Sequence, residues 1–495
     1  MQKIGFDNDL YIRRQSQAIQ ERSARFGNKL YLEFGGKLLD DLHASRVLPG
    51  FKPDAKIGLL QQFRDQAEIL FCINAGDIGN GKYRADLGIT YDMDLLRLMD
   101  QLRRMGLYVS AVVITQYKGQ PASVAFRKIL EMRFYRAYLH YPIQGYPMDV
   151  DLVVSDEGYG KNDFVETTRP LVVVTAPGPC SGKLATCLSQ LYHEYKRGVQ
   201  AGYAKFETFP VWNLPLKHPV NLAYEAATAD LKDVNMIDPF HLEAYGITTV
   251  NYNRDIEAFP VLRRILMKIT GSDSIYHSPT DMGVNMAGYG IFDDEAVREA
   301  AKQEIIRRYY RAKVDYAKGR TDEETVQKTE MVMKSLDLSP EDRRVVRPAL
   351  ERAEQTGCPA FAIELPDGSV VTGRGAGIMN PDASAVLNAV KRLAGIADDI
   401  YLLSHIILEP IVRLKKDVLG IAEPVLSLDE VLLALSICAA TNPVAELAVK
   451  KLTDLRNCQA HASYMLSQSN EVMLSRLGLQ YTCEDSYPNK DLYYV

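Results

Sequence analysis

Up to about residue 290, short β-branched runs alternate with amphipathic stretches, and this alternation restricts the chain more than any other feature. EILFCINA at 68–75, LYVSAVVIT at 107–115, VDLVV at 150–154, LVVVTA at 171–176 and ITTVNY at 247–252 read as strands that are apolar on both faces. Such strands must be covered on two sides, the condition of a parallel sheet lying between helices. The stretches between them supply the cover. Residues 92–105 set Leu95, Leu96, Met99 and Leu102 on one stripe, and 122–139 does the same with Val124, Ile129 and Leu130. The expectation is an α/β fold with a doubly wound, mostly parallel sheet.

From 293 to about 355 the composition turns to charged helix, with helix starts at Thr321 and Ser339. Beyond it, LPDGS at 365–369 joins two strands as a hairpin, and helical patterns at 381–393, 428–440 and 443–455 follow. The expected domains are therefore 1–292, an α/β phosphate- or nucleotide-binding-like domain; 293–357, a charged helical junction; and 358–495, a smaller α+β domain.

A formal charge of -5 over 495 residues gives no general attraction to nucleic acid or to acidic membranes, so any anion site must be local. No segment approaches the roughly 20 apolar residues that cross a bilayer, and the amino end lacks a leader pattern, so a cytoplasmic protein is expected. Seven cysteines without a Cys-x-x-Cys clip predict reduced thiols. Cys458 and His461 are the nearest thing to a zinc signature and lack a second pair at that spacing.

The sharpest motif follows the strand at 171–176. PGPCSGK at 177–183 is turn chemistry, and LATCLSQLYHEYK at 184–196 is helical. Strand, loop and helix in that order aim unpaired backbone N–H groups and the positive end of the helix dipole out of the loop, where an anion fits. Gly178 and Gly182 permit close approach, Ser181 offers a hydroxyl, and Lys183 offers an ammonium. This makes the fold Rossmann- or P-loop-like. The strict phosphate-loop pattern needs Gly where Pro177 stands and Ser or Thr where Leu184 stands. Either Ser181 or Thr186 replaces that magnesium-binding hydroxyl, or the metal is held elsewhere, or the anion needs none. Cys180 in the same loop reads as a packing residue before a nucleophile.

GDIGNGK at 76–82 also satisfies the glycine-to-lysine spacing, with Gly79, Gly81 and Lys82 as its anion-facing residues, although Tyr83 replaces the hydroxyl and no helix is expected to start there. Asp156, at the end of the run 150–154, reads as a strand-borne carboxylate able to hold magnesium opposite the phosphate loop. The stretch 205–252 is dense in Glu207, Trp212, Asn221, Asp238 and other polar groups among fixing prolines. His218, His241 and Asp238 are its candidates for moving protons or holding metal. SPTDMG at 278–283 and EFGGK at 33–37 are further loops, the second more simply a β-turn.

Four strings, VTAPGPCSGK at 174–183, KFETFPVWNLP at 205–215, NMIDPFHLEAY at 235–245 and NYNR at 251–254, give the chain a resemblance. It resembles, nearly end to end, an uncharacterised bacterial protein family of unknown function. The resemblance implies a nucleotide-binding-like amino-terminal part and a smaller carboxy-terminal domain, and carries no established reaction.

These readings converge on a phosphate-bearing small molecule as the partner: ATP or GTP with magnesium, or a phosphorylated metabolite acted on by a lyase, isomerase or transferase. A non-catalytic nucleotide sensor is the alternative from another class. The charged helical junction suggests a homo-oligomer.

Overall fold

The computed structural model describes residues 3–36, 38–39, 41–84, 87–273, 275–375 and 377–487, so Lys37 of the 33–37 loop lies outside the described residues. By contacts the chain forms two compact units, one of 4–224 with 233–300 and the other chiefly of 301–495 with 225–232.

The first unit is built on seven parallel strands. In chain order they are β1 (Leu30–Phe34), β2 (Ala67–Asn74), β3 (Val109–Thr115), β4 (Arg136–Leu139), β5 (Leu171–Thr175), β6 (Gly202–Phe206) and β7 (Gly283–Val284). In space they run β7-β6-β1-β5-β2-β3-β4. The helices that matter for the site are α1 (Tyr91–Arg104), α2 (Pro121–Met132), α3 (Lys183–Lys196) and α4 (Asn253–Thr270). Every residue of β5 is buried, and Val172, Val173 and Val174 are wholly so. Each such side chain contributes about 1.5 to 3 kcal/mol of burial energy, which places β5 in the middle of the sheet.

Strand order creates the crevice. From β2 the chain passes through α1 to β3 on one side, whereas from β5 it passes through α3 to β6 on the other. The carboxyl ends of these two neighbours therefore flank the point where the winding reverses, the place where open α/β sheets bind ligands.

Local structure corrects several expectations. Residues 150–154 are not a strand: Asp149 accepts from the Leu152 N–H at 3.1 Å and caps a one-turn helix, Val150–Val153. Apolar character alone could not separate a short helix from a strand there. Of 247–252, only Val250–Tyr252 is extended, and it pairs antiparallel with Asn235–Ile237 instead of joining the sheet. The helix expected over 122–139 ends at Met132, and β4 follows.

The second unit holds a four-stranded mixed sheet of β8 (Ala360–Glu364), β9 (Val370–Arg374), β10 (Gln459–Ala462) and β11 (Gln480–Cys483), in the order β9-β8-β10-β11. β8 and β9 form the expected hairpin, and α5 (Val346–Thr356) and α6 (Pro381–Ala394) pack on the sheet. Arg343, 1% exposed, donates to Thr482 Oγ1 at 3.0 Å and to the carbonyls of Ala460 and Gln480. Those bonds tie the charged segment to β10 and β11, and residues 301–357 cluster with this unit.

Candidate functional site

The loop between β5 and α3 is held by the ends of two other strands. Thr115, last in β3, donates its hydroxyl to the Ser181 carbonyl at 2.8 Å, and Asn74, last in β2, donates to the Cys180 carbonyl at 3.4 Å. Gly182 stands at φ 82° immediately before α3, a conformation that favours glycine. A Cβ there would meet Thr115 at 2.9 Å, and a Cβ at Gly178 would meet the Tyr91 ring at 2.4 Å. On their Cβ side the two glycines are thus packed against protein side chains.

What the loop offers a ligand is Ser181, Lys183 and the start of α3. Ser181 is 3% exposed and its Oγ has no hydrogen-bond partner, a condition that costs roughly 1 to 3 kcal/mol. Among the described residues Lys183 forms neither an ion pair nor a side-chain hydrogen bond. Thr186 faces the sheet, where it accepts from the Cys72 thiol at 3.4 Å, so its hydroxyl cannot stand in for the missing one at position 184. Burial pushes that thiol up to about 12, and it stays protonated.

The second glycine–lysine loop lies beside the first. Asn74 accepts from the Gly76 N–H at 2.8 Å and starts a one-turn helix, Ala75–Gly79, inside the loop, while short strands follow at Tyr83–Arg84 and Ile89–Thr90. Lys82 pairs with Asp77 at 3.3 Å and lies 5.2 Å from the centre of the Tyr91 ring, the ring that covers Gly178. Tyr91 therefore joins the two loops. Among the described residues nothing lies within 4 Å of a Cβ position at Gly79 or Gly81.

The remaining candidates do not gather here. Asp156 accepts from Tyr192 at 2.7 Å and pairs with Lys196. Lys196 ends the 14-residue α3, about 20 Å from Lys183, so Asp156 lies too far off to hold a metal against the loop at 177–183. Its placement followed from the misread strand. Both nitrogens of buried His218 are engaged, Nδ1 by the Val220 N–H at 3.2 Å and Nε2 by Asp294 at 2.9 Å. Burial and nearby Arg298 lower its affinity for a proton. Asp238, fully buried, caps the helix Pro239–Tyr245 and accepts from the Thr280 hydroxyl at 2.7 Å. His241 Nδ1 lies 2.9 Å from Ser278 Oγ. Among the described residues no group of three or more His, Cys, Asp or Glu side chains is arranged to hold a metal ion.

A cluster that no motif announced lies at the end of β6. Lys205 Nζ is 2.9 Å from Glu207 Oε1 and 2.6 Å from Asp255 Oδ2 at the start of α4. Burial works against the Lys205 charge, but the two carboxylates outweigh it and hold the ammonium above its usual range. Burial raises the Glu207 carboxyl, which Lys205 offsets only in part. Glu207 is 7% exposed, and its Oε2 and the nearby Trp212 Nε1 have no hydrogen-bond partner. Gly283 packs against both side chains: a Cβ there would stand 2.7 Å from the indole and 3.0 Å from Glu207 Oε2. On β1, Glu33 accepts from the Tyr203 hydroxyl at 2.8 Å. The signal available in the sequence was Lys-x-Glu at 205–207, two charges at strand spacing on one face.

Comparison with known proteins adds the family. The model for "Domain of unknown function DUF1846, N-terminal" matches residues 4–337, and that for its C-terminal domain matches 341–493. The chain belongs to the DUF1846 family. DUF1846 relatives described as UPF0371 proteins occur in Clostridium botulinum (strain Alaska E43) and Clostridium tetani, each 57% identical over 99% of this chain and 99% of its own. Another, from Clostridioides difficile, is 56% identical over 99% of this chain and all of its own. The family is bacterial, has two domains, and has no assigned function.

Proposed function

We propose that the switch-point loop binds the phosphate of a small metabolite and that the chain is an enzyme acting on that metabolite. The observation that carries this reading is Lys183, an ammonium without an ionic partner among the described residues, at the first position of α3 and next to the buried, unpaired Ser181 hydroxyl. Two oxygens of a phosphate would take the hydroxyl and the ammonium, and the free N–H groups of α3 would take a third. Groups fixed in that geometry stabilise charge that shifts during reaction without having to reorganise.

A metabolite phosphate fits better than a magnesium nucleotide. Leu184 follows Lys183, Thr186 is turned to the sheet, and Asp156 sits at the far end of α3.

Thermal denaturation of wild type and Lys183→Ala tests this, with inorganic phosphate, sugar phosphates, ATP and GTP, each with and without magnesium. The expected result is a Lys183-dependent rise in Tm with phosphorylated metabolites. A rise confined to ATP or GTP with magnesium favours the nucleotide reading, and no Lys183-dependent rise removes both. Because Lys183 has no partner to lose among the described residues, the variant's own stability should stay within about 0.5 kcal/mol of wild type.

A further inference from the structure

The carboxyl ends of β5, β1 and β6 lie side by side, so the strand ends that lead into the phosphate loop and to Glu207 are two strand spacings apart, about 10 Å. Between them β1 ends at Phe34 and leads into Gly35, where nothing described lies within 4 Å of a Cβ position. At the far end two buried polar atoms, Glu207 Oε2 and Trp212 Nε1, lack partners, and Gly283 packs against both side chains that carry them. One is placed to accept and the other to donate. A single hydroxyl group does the converse of both, donating to the carboxylate and accepting from the indole N–H.

The geometry points to a sugar phosphate as the ligand class, its phosphate at Ser181 and Lys183 and a distal hydroxyl between Glu207 and Trp212. This rests on the phosphate reading above and adds the second end of the molecule. Lys205 is a positioning residue here: its ammonium, 2.9 Å from Glu207 Oε1 and 2.6 Å from Asp255, fixes the carboxylate so that Oε2 is the free oxygen. Gly283 is required because a side chain there would crowd both the indole ring and Glu207 Oε2. A ligand lacking the hydroxyl would leave both groups unpaired, the circumstance in which a polar site discriminates most strongly.

Trp212 is the only tryptophan in the chain, so its emission reports on this end of the site without a label. The experiment titrates the full chain with inorganic phosphate, ribose 5-phosphate, glucose 6-phosphate, ribose and glucose, following Trp212 emission and, in parallel, heat of binding. A sugar phosphate is expected to bind at least about tenfold tighter than inorganic phosphate and to change the emission saturably. Glu207→Gln should reduce its affinity to the level of phosphate, and Lys183→Ala should weaken sugar phosphate and inorganic phosphate alike. If inorganic phosphate binds in a Lys183-dependent way but sugar phosphates bind no tighter, or bind with Trp212 silent and Glu207→Gln without effect, the inference is overturned and the loop reading stands. If no phosphate compound binds through Lys183, both fall. The wild-type emission decides the matter even if the Glu207 variant does not fold.

Discussion

The ring of Tyr91 lies against Gly178 so closely that a methyl group on the glycine would stand 2.4 Å from Tyr91 Cε2. The same ring receives the Lys82 ammonium at 5.2 Å, so one aromatic residue sets the position of two glycine–lysine loops. Gly178→Ala should therefore push the ring aside, at a cost of roughly 1 to 3 kcal/mol, and loosen both loops. In a Tyr91→Ala background the same substitution should cost much less, because the obstacle is gone. Denaturant melts of the four-member cycle check this, and equal costs in both backgrounds would show that the ring is not the obstacle.

Lys205 lies between two carboxylates and keeps about a quarter of its side chain exposed. Lys205→Met leaves Glu207 and Asp255 without their cation, an expected loss of roughly 2 to 4 kcal/mol, somewhat below the range for a wholly buried pair. Adding Glu207→Gln should recover part of it by removing one uncompensated charge. A double variant as weak as the single one would count against this account.

In the carboxy-terminal unit, Asp382 is buried near the start of α6 with Oδ2 unpaired, while the Tyr464 hydroxyl lies 3.5 Å from Oδ1 and nearby backbone N–H groups offset the burial only in part. Burial raises its carboxyl from 3.8 to about 6. The folded chain thus holds this proton at pH values where the unfolded chain has released it. The group's contribution to stability is full below about pH 4, falls as pH rises towards 6, and leaves the fold about 3 kcal/mol worse off above that. Asp382→Asn should flatten the pH profile between 4 and 6 and exceed wild type in stability at pH 7. Denaturant melts at four pH values are the check, and parallel profiles for the two proteins would refute the assignment.

The sequence made β2, β3 and β5 legible because each is a short run, apolar on both faces and bounded by turn residues, which is what a strand covered on two sides requires. β1 and β6 were passed over because Glu33 and Lys205 interrupt them, and the sheet accommodates those charges only because Tyr203, Glu207 and Asp255 meet them from elsewhere in the chain. The run at 150–154 showed the opposite failure, since Asp149 supplied a cap that its apolar letters did not announce. The loop at 177–183 was readable as strand, turn and helix. Its meeting with Tyr91, Thr115 and Asn74 was not, because strand order is set by contacts that no local window contains. His218 looked available as a letter and is engaged at both nitrogens as a side chain.

That strand order also sets when the amino-terminal unit can assemble. β1 has two neighbours, and Leu30 waits for Leu171 on one side and Gly202 on the other. At a synthesis rate of about 5 to 20 residues per second, roughly ten to thirty seconds separate the emergence of β1 from that of its second partner. During that interval β2 can pair with β3, but β1 remains an apolar segment without an edge to join. Such distant pairing predicts slow folding and a nascent chain that relies on holding chaperones. A fragment ending before residue 171 would lack the strand that joins β1 to β2, and so would have no continuous sheet to fold around.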